Sequence, residues 1–484
     1  MSKVFDGLRP FQKAELLLLM FLAMAIPFHW LAAQYFEVAL FMCAVLKLIF
    51  DQKFKLNEQQ LKLKWAYIIF ALTWLIYLIG MFWTQNASVG WAQVSKKLGF
   101  LIFPVIFVVS DMSYIDKTRL KAIGNALILG CILFFLMNFV YAVYDVIFNG
   151  ATTSRFFDEN LMKLYYVHHS YLSMYAGLGL MFCFMGIFGE SNRKVKIFNI
   201  LAYITLVIFI ILIRSRAGLL CMVLLFVLQW IWLTFIMKKK KLGAIMGCIF
   251  LAAVVATIVV FPSSVARITT TIHDLTTEHA NDHRMVQYKG YKPVLQENWL
   301  FGVGTGDRTD VTQEAYHIYK QNIIEKIGPE VAAQIDKITA CDYYEPTDEM
   351  RADMRKEALR YGRDPEVVNA YLVDYLYVNF AIDKGINAHN QFFETLISVG
   401  VIGVLLMLAY FVIPLVLWIK RKKFDMLYFS FLLMIGFNML FESVFEVQMG
   451  IIFFGFFNSL LFYTSFRATE GSREILHERE HKIR

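Results

Sequence analysis

The chain has 484 residues, 58% of them hydrophobic and only 18% charged, with a mean hydropathy of +0.53. Soluble domains average roughly 45–50% apolar and about 25% charged residues, so this composition excludes a water-soluble globular protein and fits a chain that places apolar surface in a bilayer. The net charge of +8 sits in short clusters between apolar runs, which excludes a nucleic-acid surface and matches the basic cytoplasmic loops of membrane proteins.

A spanning helix needs about 20 mostly apolar residues. On that rule, spans fall near 14–33, 35–50, 64–83, 96–111, 122–147, 168–188, 195–213, 217–237, 242–262, 391–419, 425–444 and 449–466. The runs at 35–50 and 96–111 are the shortest. The N-terminus MSKVFDGLRPFQK is basic, and the apolar run after it is long enough to remain a span, so no cleavable signal peptide is expected. Basic clusters stand at Lys53/Lys55/Lys62/Lys64, Lys117/Arg119/Lys121, Arg193/Lys194/Lys196, Lys238 to Lys241 and Lys420 to Lys423, each after an even-numbered span. The N-terminus and the tail from Arg467 to Arg484 are basic as well. With about twelve spans, all of these share one side, which the positive-inside rule makes cytoplasmic. The predicted fold is an all-α polytopic membrane protein of about twelve transmembrane helices, with both termini cytoplasmic.

The other side receives loop 148–167, the tight turn around Arg214 and Arg216, and the long segment 263–390 between the ninth and tenth spans. The expected organisation is therefore spans one to nine over 1–262, an outer loop over 263–390, the last three spans over 391–466, and a tail over 467–484. The loop carries expected helices near 309–327, 329–339, 346–361 and 364–380. The last has a proline just after an Asp364 cap and is strongly apolar, so it is expected to lie along the membrane surface. Five of the six cysteines fall in apolar runs and Cys341 stands alone in the loop, so neither a disulfide framework nor a metal-ligand spacing appears. No sustained internal repeat is present.

Ionisable groups at a membrane edge are costly and so are functional candidates. Arg214 and Arg216 lie in a very short turn between two apolar helices. Guanidinium groups suit an anion such as phosphate; the alternative is a pair of side chains snorkelling at the interface. Asn281-Asp282-His283-Arg284 precedes a helical stretch and then Asn298-Trp299-Leu300-Phe301-Gly302-Val303-Gly304-Thr305-Gly306. This glycine run lacks nucleotide-loop spacing and reads as a packing turn near the membrane. His389, in Ala388-His389-Asn390-Gln391-Phe392, opens the tenth span and either takes a proton from a hydroxyl nucleophile or serves as an interfacial cap. His168 and His169, at the outer end of the sixth span, either line the same cavity or are interfacial polar residues. Arginines able to hold a diphosphate and a histidine able to act as base suggest glycosyl transfer from a lipid-linked sugar diphosphate.

Across roughly residues 168–415 the chain resembles the O-antigen ligase and polymerase superfamily of bacterial envelope enzymes. The resemblance rests on Ser215-Arg216-Ala217-Gly218, on the Arg284 stretch leading to the Asn298–Gly304 run, and on His389-Asn390-Gln391-Phe392 followed by Gly400-Val401-Ile402-Gly403. It implies a transferase of the bacterial inner membrane that needs neither metal nor other cofactor. Its expected donor is a glycan on undecaprenyl diphosphate, and its expected acceptor is a sugar hydroxyl of lipid A–core on the periplasmic face. It implies catalytic roles for Arg216, Arg284 and His389, with inversion at the anomeric carbon. Arg214, His169 and Asn390 are the expected substrate-binding residues. The one dominant loop before the tenth span resembles the ligases. A single Arg-x10-Gly match, Arg351 to Gly362, is expected by chance and does not argue for a polymerase. An O-antigen or exopolysaccharide polymerase and a protein O-glycosyltransferase remain alternatives. A secondary transporter is disfavoured, since neither related halves nor broken helices are evident.

Overall fold

The computed structural model describes residues 2–50, 58–189, 192–248, 251, 283–338, 346–384 and 389–467. Every regular element among the described residues is a helix. Nine described helices are long and apolar enough to cross a membrane: Trp30–Phe50, Leu63–Phe82, Ala87–Val109, Lys117–Phe148, His169–Gly189, Arg193–Ile213, Arg216–Ile236, Gln391–Arg421 and Gln448–Phe466. They answer to nine of the expected spans. Of the other three, 242–262 lies mostly outside the described residues. The remaining two are the 16-residue helix Pro10–Ala25 and the 14-residue helix Met426–Met439. Cys341, Asn281, Asp282 and the tail beyond Arg467 also lie outside the described residues.

Several expected boundaries move for local reasons. The first expected span does not reach residue 33. Its helix stops at Ala25, and Pro27 follows where a proline restricts the residue before it. His29 Nδ1 then accepts from the Leu31 N–H at 3.1 Å, and the next helix gains its full 21 residues from Trp30. The span expected at 96–111 is preceded by the helix Ala87–Lys96, so that Ala87–Val109 forms a 23-residue segment. In the loop the helices run Arg308–Ile327, Pro329–Ile338, Asp348–Arg360 and Pro365–Lys384, close to expectation. The surface position expected for the last one is corrected. None of its apolar side chains is exposed, because they pack into a helical core.

The chain forms two compact units. The first comprises Met1–Leu78, Ala92–Trp232 and Leu405–Arg484. Two of its helices are packed on nearly all sides: His169–Gly189 is 78% buried over its apolar window and Gln448–Phe466 is 89% buried. Helices such as Arg216–Ile236, at 22%, leave most of their apolar surface uncovered. Exposed Val140, Ile147, Leu201, Leu405 and Ile419 would be a liability in water and are at home against acyl chains. One end of this unit is tied by a fully buried ion pair, Lys47 Nζ to Glu15 Oε2 at 2.7 Å. Lys47 also donates to the Asp111 carbonyl at 3.4 Å, and Arg9 approaches the Asp111 carboxylate at 3.7 Å.

The second unit comprises Ile79–Trp91 and Leu233–Val404. Its core gathers Val286, Tyr291 and Val294 from the His283–Asn298 helix, Tyr316 and Ile323 from the loop helices, Leu372, Tyr375 and Val378 from the Pro365–Lys384 helix, and Ile397. Burial pushes the Tyr291 phenol up to about 12, so its hydroxyl stays neutral in this core. Asp374 is buried but satisfied, accepting from Lys289 Nζ at 2.8 Å and from the Tyr319 hydroxyl at 2.5 Å. The Gln391–Arg421 helix is broken at Val399 and Gly400, which corrects the expectation of unbroken helices. The glycine run lies against this break. The Val303 and Gly304 N–H groups donate to the Ile397 and Ser398 carbonyls at 2.8 and 3.1 Å, and Val401 N–H donates to the Trp299 carbonyl at 2.8 Å. The run is therefore a packing turn, and its partner is the backbone freed by the broken helix.

Candidate functional site

In the first unit, the Arg193–Ile213 helix ends at Arg214, which takes a left-handed conformation with φ 52°. Ser215 then caps the next helix, its Oγ accepting from the Gly218 N–H at 3.2 Å. Gly218 packs directly on Ser173, where any Cβ would overlap the serine side chain. The start of the Arg216 helix is thereby held against the start of the His169–Gly189 helix. The two arginines differ. The Arg214 guanidinium lies 4.0 Å from the Phe157 ring centre and 3.7 Å from Asp158 Oδ2. Arg216 is exposed at the first helical position and makes no ion pair or hydrogen bond among the described residues. Its charge is available, and the helix N-terminus adds a favourable field for an anion.

The same end of this unit gathers more polar groups. The His168 and His169 rings lie 4.2 Å apart, and His169 Nδ1 is 3.8 Å from Glu159 Oε1. Sequence spacing gave no metal-ligand pattern, yet the fold brings one donor atom each from Glu159, His168 and His169 within 4.8 Å of one another. Burial, together with the Glu159 carboxylate, raises the Tyr166 phenol above its ordinary range. Ser170 Oγ donates to Glu442 Oε1 at 2.7 Å, and the Tyr171 hydroxyl to the Ser443 carbonyl at 3.4 Å. Three residues further on, Glu446 holds Lys97 at 3.0 Å, while Lys96 Nζ donates to the Glu446 carbonyl at 3.0 Å. Lys97 is buried over the Tyr77 ring. These lysines, Glu159 and Glu442 are the polar residues that sequence reasoning missed. The available signal was a lysine pair opening the fourth span on the side that the other basic clusters avoid.

In the second unit, His389 has φ 43°, a conformation uncommon for a residue with a side chain. Such backbone strain concentrates at functional positions. Asn390 caps the following helix, its Oδ1 accepting from the Phe392 and Phe393 N–H groups at 2.9 and 3.2 Å. One turn later, Glu394 is buried and paired with Arg308. Arg284 lies in the first turn of the His283–Asn298 helix. Tyr288, one turn on, packs its ring 5.8 Å from that of Phe393, itself one turn after His389. Arg284 and His389 therefore each stand one turn before a single contact between their helices. The expected site residues fall into two groups: Arg214, Arg216 and His169 in the first unit, and Arg284, His389 and Asn390 in the second.

A family model described as O-antigen ligase matches residues 201–333. This match supports a relation of the chain to the O-antigen ligase superfamily. The matched stretch contains Arg214, Arg216, Arg284 and the glycine run, and ends before His389. It supports an O-antigen ligase or polymerase type of function, that of a membrane glycosyltransferase-like enzyme whose partners are a lipid-linked glycan and a glycan acceptor. No curated protein matches the chain.

Proposed function

We propose that the protein is an O-antigen ligase-like glycosyltransferase that moves a glycan from undecaprenyl diphosphate to a sugar hydroxyl of lipid A–core. The observation that carries this reading is Arg216, a guanidinium at a helix start with no acidic partner among the described residues, inside the segment that matches the family. In the proposed step, His389 takes the proton of the acceptor hydroxyl as its oxygen forms a bond to the anomeric carbon. The bond from that carbon to the diphosphate oxygen breaks, and the diphosphate leaves with the electron pair. In-line displacement inverts the anomeric centre. Arg216 and Arg284 stabilise the charge that gathers on the leaving group, where fixed donors act most strongly. Arg214, His169 and Asn390 contact the substrate around these groups, with Arg214 and Asn390 also holding the local backbone and loop. The site faces the periplasm from the bacterial inner membrane, and both termini are cytoplasmic.

A polymerase of the same chemistry is the second reading, favoured by the size of the helical module at Arg308–Lys384, larger than a minimal ligase loop requires. Deletion of the gene separates the two. A ligase deletion leaves long glycan chains on the lipid carrier. A deletion strain holding only single repeat units on the carrier would establish the polymerase instead.

A further inference from the structure

We infer that Glu159, His168 and His169 form a binding site for one divalent transition-metal ion of the zinc class. The donor set is two imidazoles and one carboxylate, the chemistry that zinc and its neighbours prefer over magnesium or calcium. The geometry is close to what such an ion needs. Tetrahedral zinc with bonds of about 2.0–2.2 Å sets neighbouring ligand atoms roughly 3.4 Å apart. His169 Nδ1 and Glu159 Oε1 are 3.8 Å apart, and all three donors lie within 4.8 Å of one another. Closing that gap requires only side-chain rotation, since Glu159 and His169 are partly exposed, at 58% and 30%. The surrounding charge also suits a dication. Arg214, a cation nearby, already faces Asp158 at 3.7 Å, and the Glu159 carboxylate brings negative charge to the donor set. The backbone is fixed on both sides: Asp158–Leu161 is a helical turn with Phe157 under Arg214, and Ser170 anchors the histidine pair through Glu442. The site takes its ligands from the 157–170 segment, outside the family-matched stretch; it shares His169 with the substrate contacts proposed above, and metal binding measured without glycan is read apart from transfer.

The test uses the purified full-length protein in detergent, stripped with a chelator and titrated with zinc, then magnesium, in the absence of any glycan. One zinc ion per chain is expected to bind, with affinity falling at least about tenfold in Glu159→Gln and in His169→Ala, the loss typical when a metal site is damaged. The unfolding temperature should rise with zinc in the parent protein and stay flat in both variants. Glu159→Gln is nearly isosteric at an exposed position, so it reports on binding even if His169→Ala folds poorly. Zinc affinity unchanged in Glu159→Gln, or magnesium binding as tightly as zinc, would overturn the assignment.

Discussion

Arg214 and Arg216 are two residues apart, yet their surroundings give them different work. Arg214 is set in a left-handed turn and shares its charge with Asp158 and its flat face with Phe157. Exposed ion pairs of this kind contribute about 0–1 kcal/mol. Arg216 has no such partner among the described residues. Replacing Arg216 by Ala should lower glycan transfer about 10²–10³-fold, as loss of a transition-state donor does. Arg214→Ala should cost less than about tenfold, the larger end of an exposed pair's worth. The measurement is transfer per unit of membrane-inserted protein, and equal losses in the two variants would contradict the distinction. The sequence marked both arginines by their position on the side where positive charge is scarce. The resemblance set Arg216 ahead of Arg214, but the contacts that distinguish them were out of reach, because Phe157 and Asp158 are 57 and 56 residues from Arg214 along the chain. Asn390 was expected as a substrate contact, and the structure gives its side-chain oxygen a helix cap that the sequence reading did not name.

Among the elements, the crossing of the glycine run and the broken helix is the most demanding piece of backbone. Gly400 has φ 69° and ψ −169°, a region that essentially only glycine occupies, and a Cβ there would overlap the Leu300 carbonyl. Gly302, with φ 71°, meets the Ser398–Val399 backbone in the same way from the other side. Gly400→Ala should destabilise the protein by about 1–3 kcal/mol from backbone strain alone, with more from the overlap. Thermal unfolding in detergent would show it as a lower midpoint, and an unchanged midpoint would refute the strain at Gly400. Periodicity located the helices on either side of this crossing. The break itself was invisible, because Ser398-Val399-Gly400-Val401 is as apolar as a continuous span. The loop helices were legible to within a few residues from proline and charge placement. Their burial was not, since an apolar helix reads the same whether it faces lipid or the core that Tyr316 and Val286 supply.

At the scale of the whole molecule, composition alone separated this chain from soluble proteins. What composition could not convey is how buried charge is satisfied. Lys47 lies within an apolar run, and its partner Glu15 is 32 residues earlier. Lys47→Met would leave the Glu15 carboxylate buried and unpaired, a defect worth about 3–5 kcal/mol. The double change Glu15→Gln with Lys47→Met should recover most of that loss, seen as a restored yield of monodisperse protein. A double variant no better than the single one would show that the pair is not what holds this end together. The functional reading proposed above assigns roles to residues spread from His169 to Asn390. It is tested most directly by glycan transfer from a lipid-diphosphate donor to a lipid A–core acceptor, using purified protein in vesicles. His389→Asn is the informative variant, because asparagine tolerates the left-handed backbone at φ 43° while removing the base. Transfer should fall about 10²–10⁴-fold with the fold intact, the worth of a positioned base; transfer at the parent rate would contradict the assignment of His389 and the mechanism built on it.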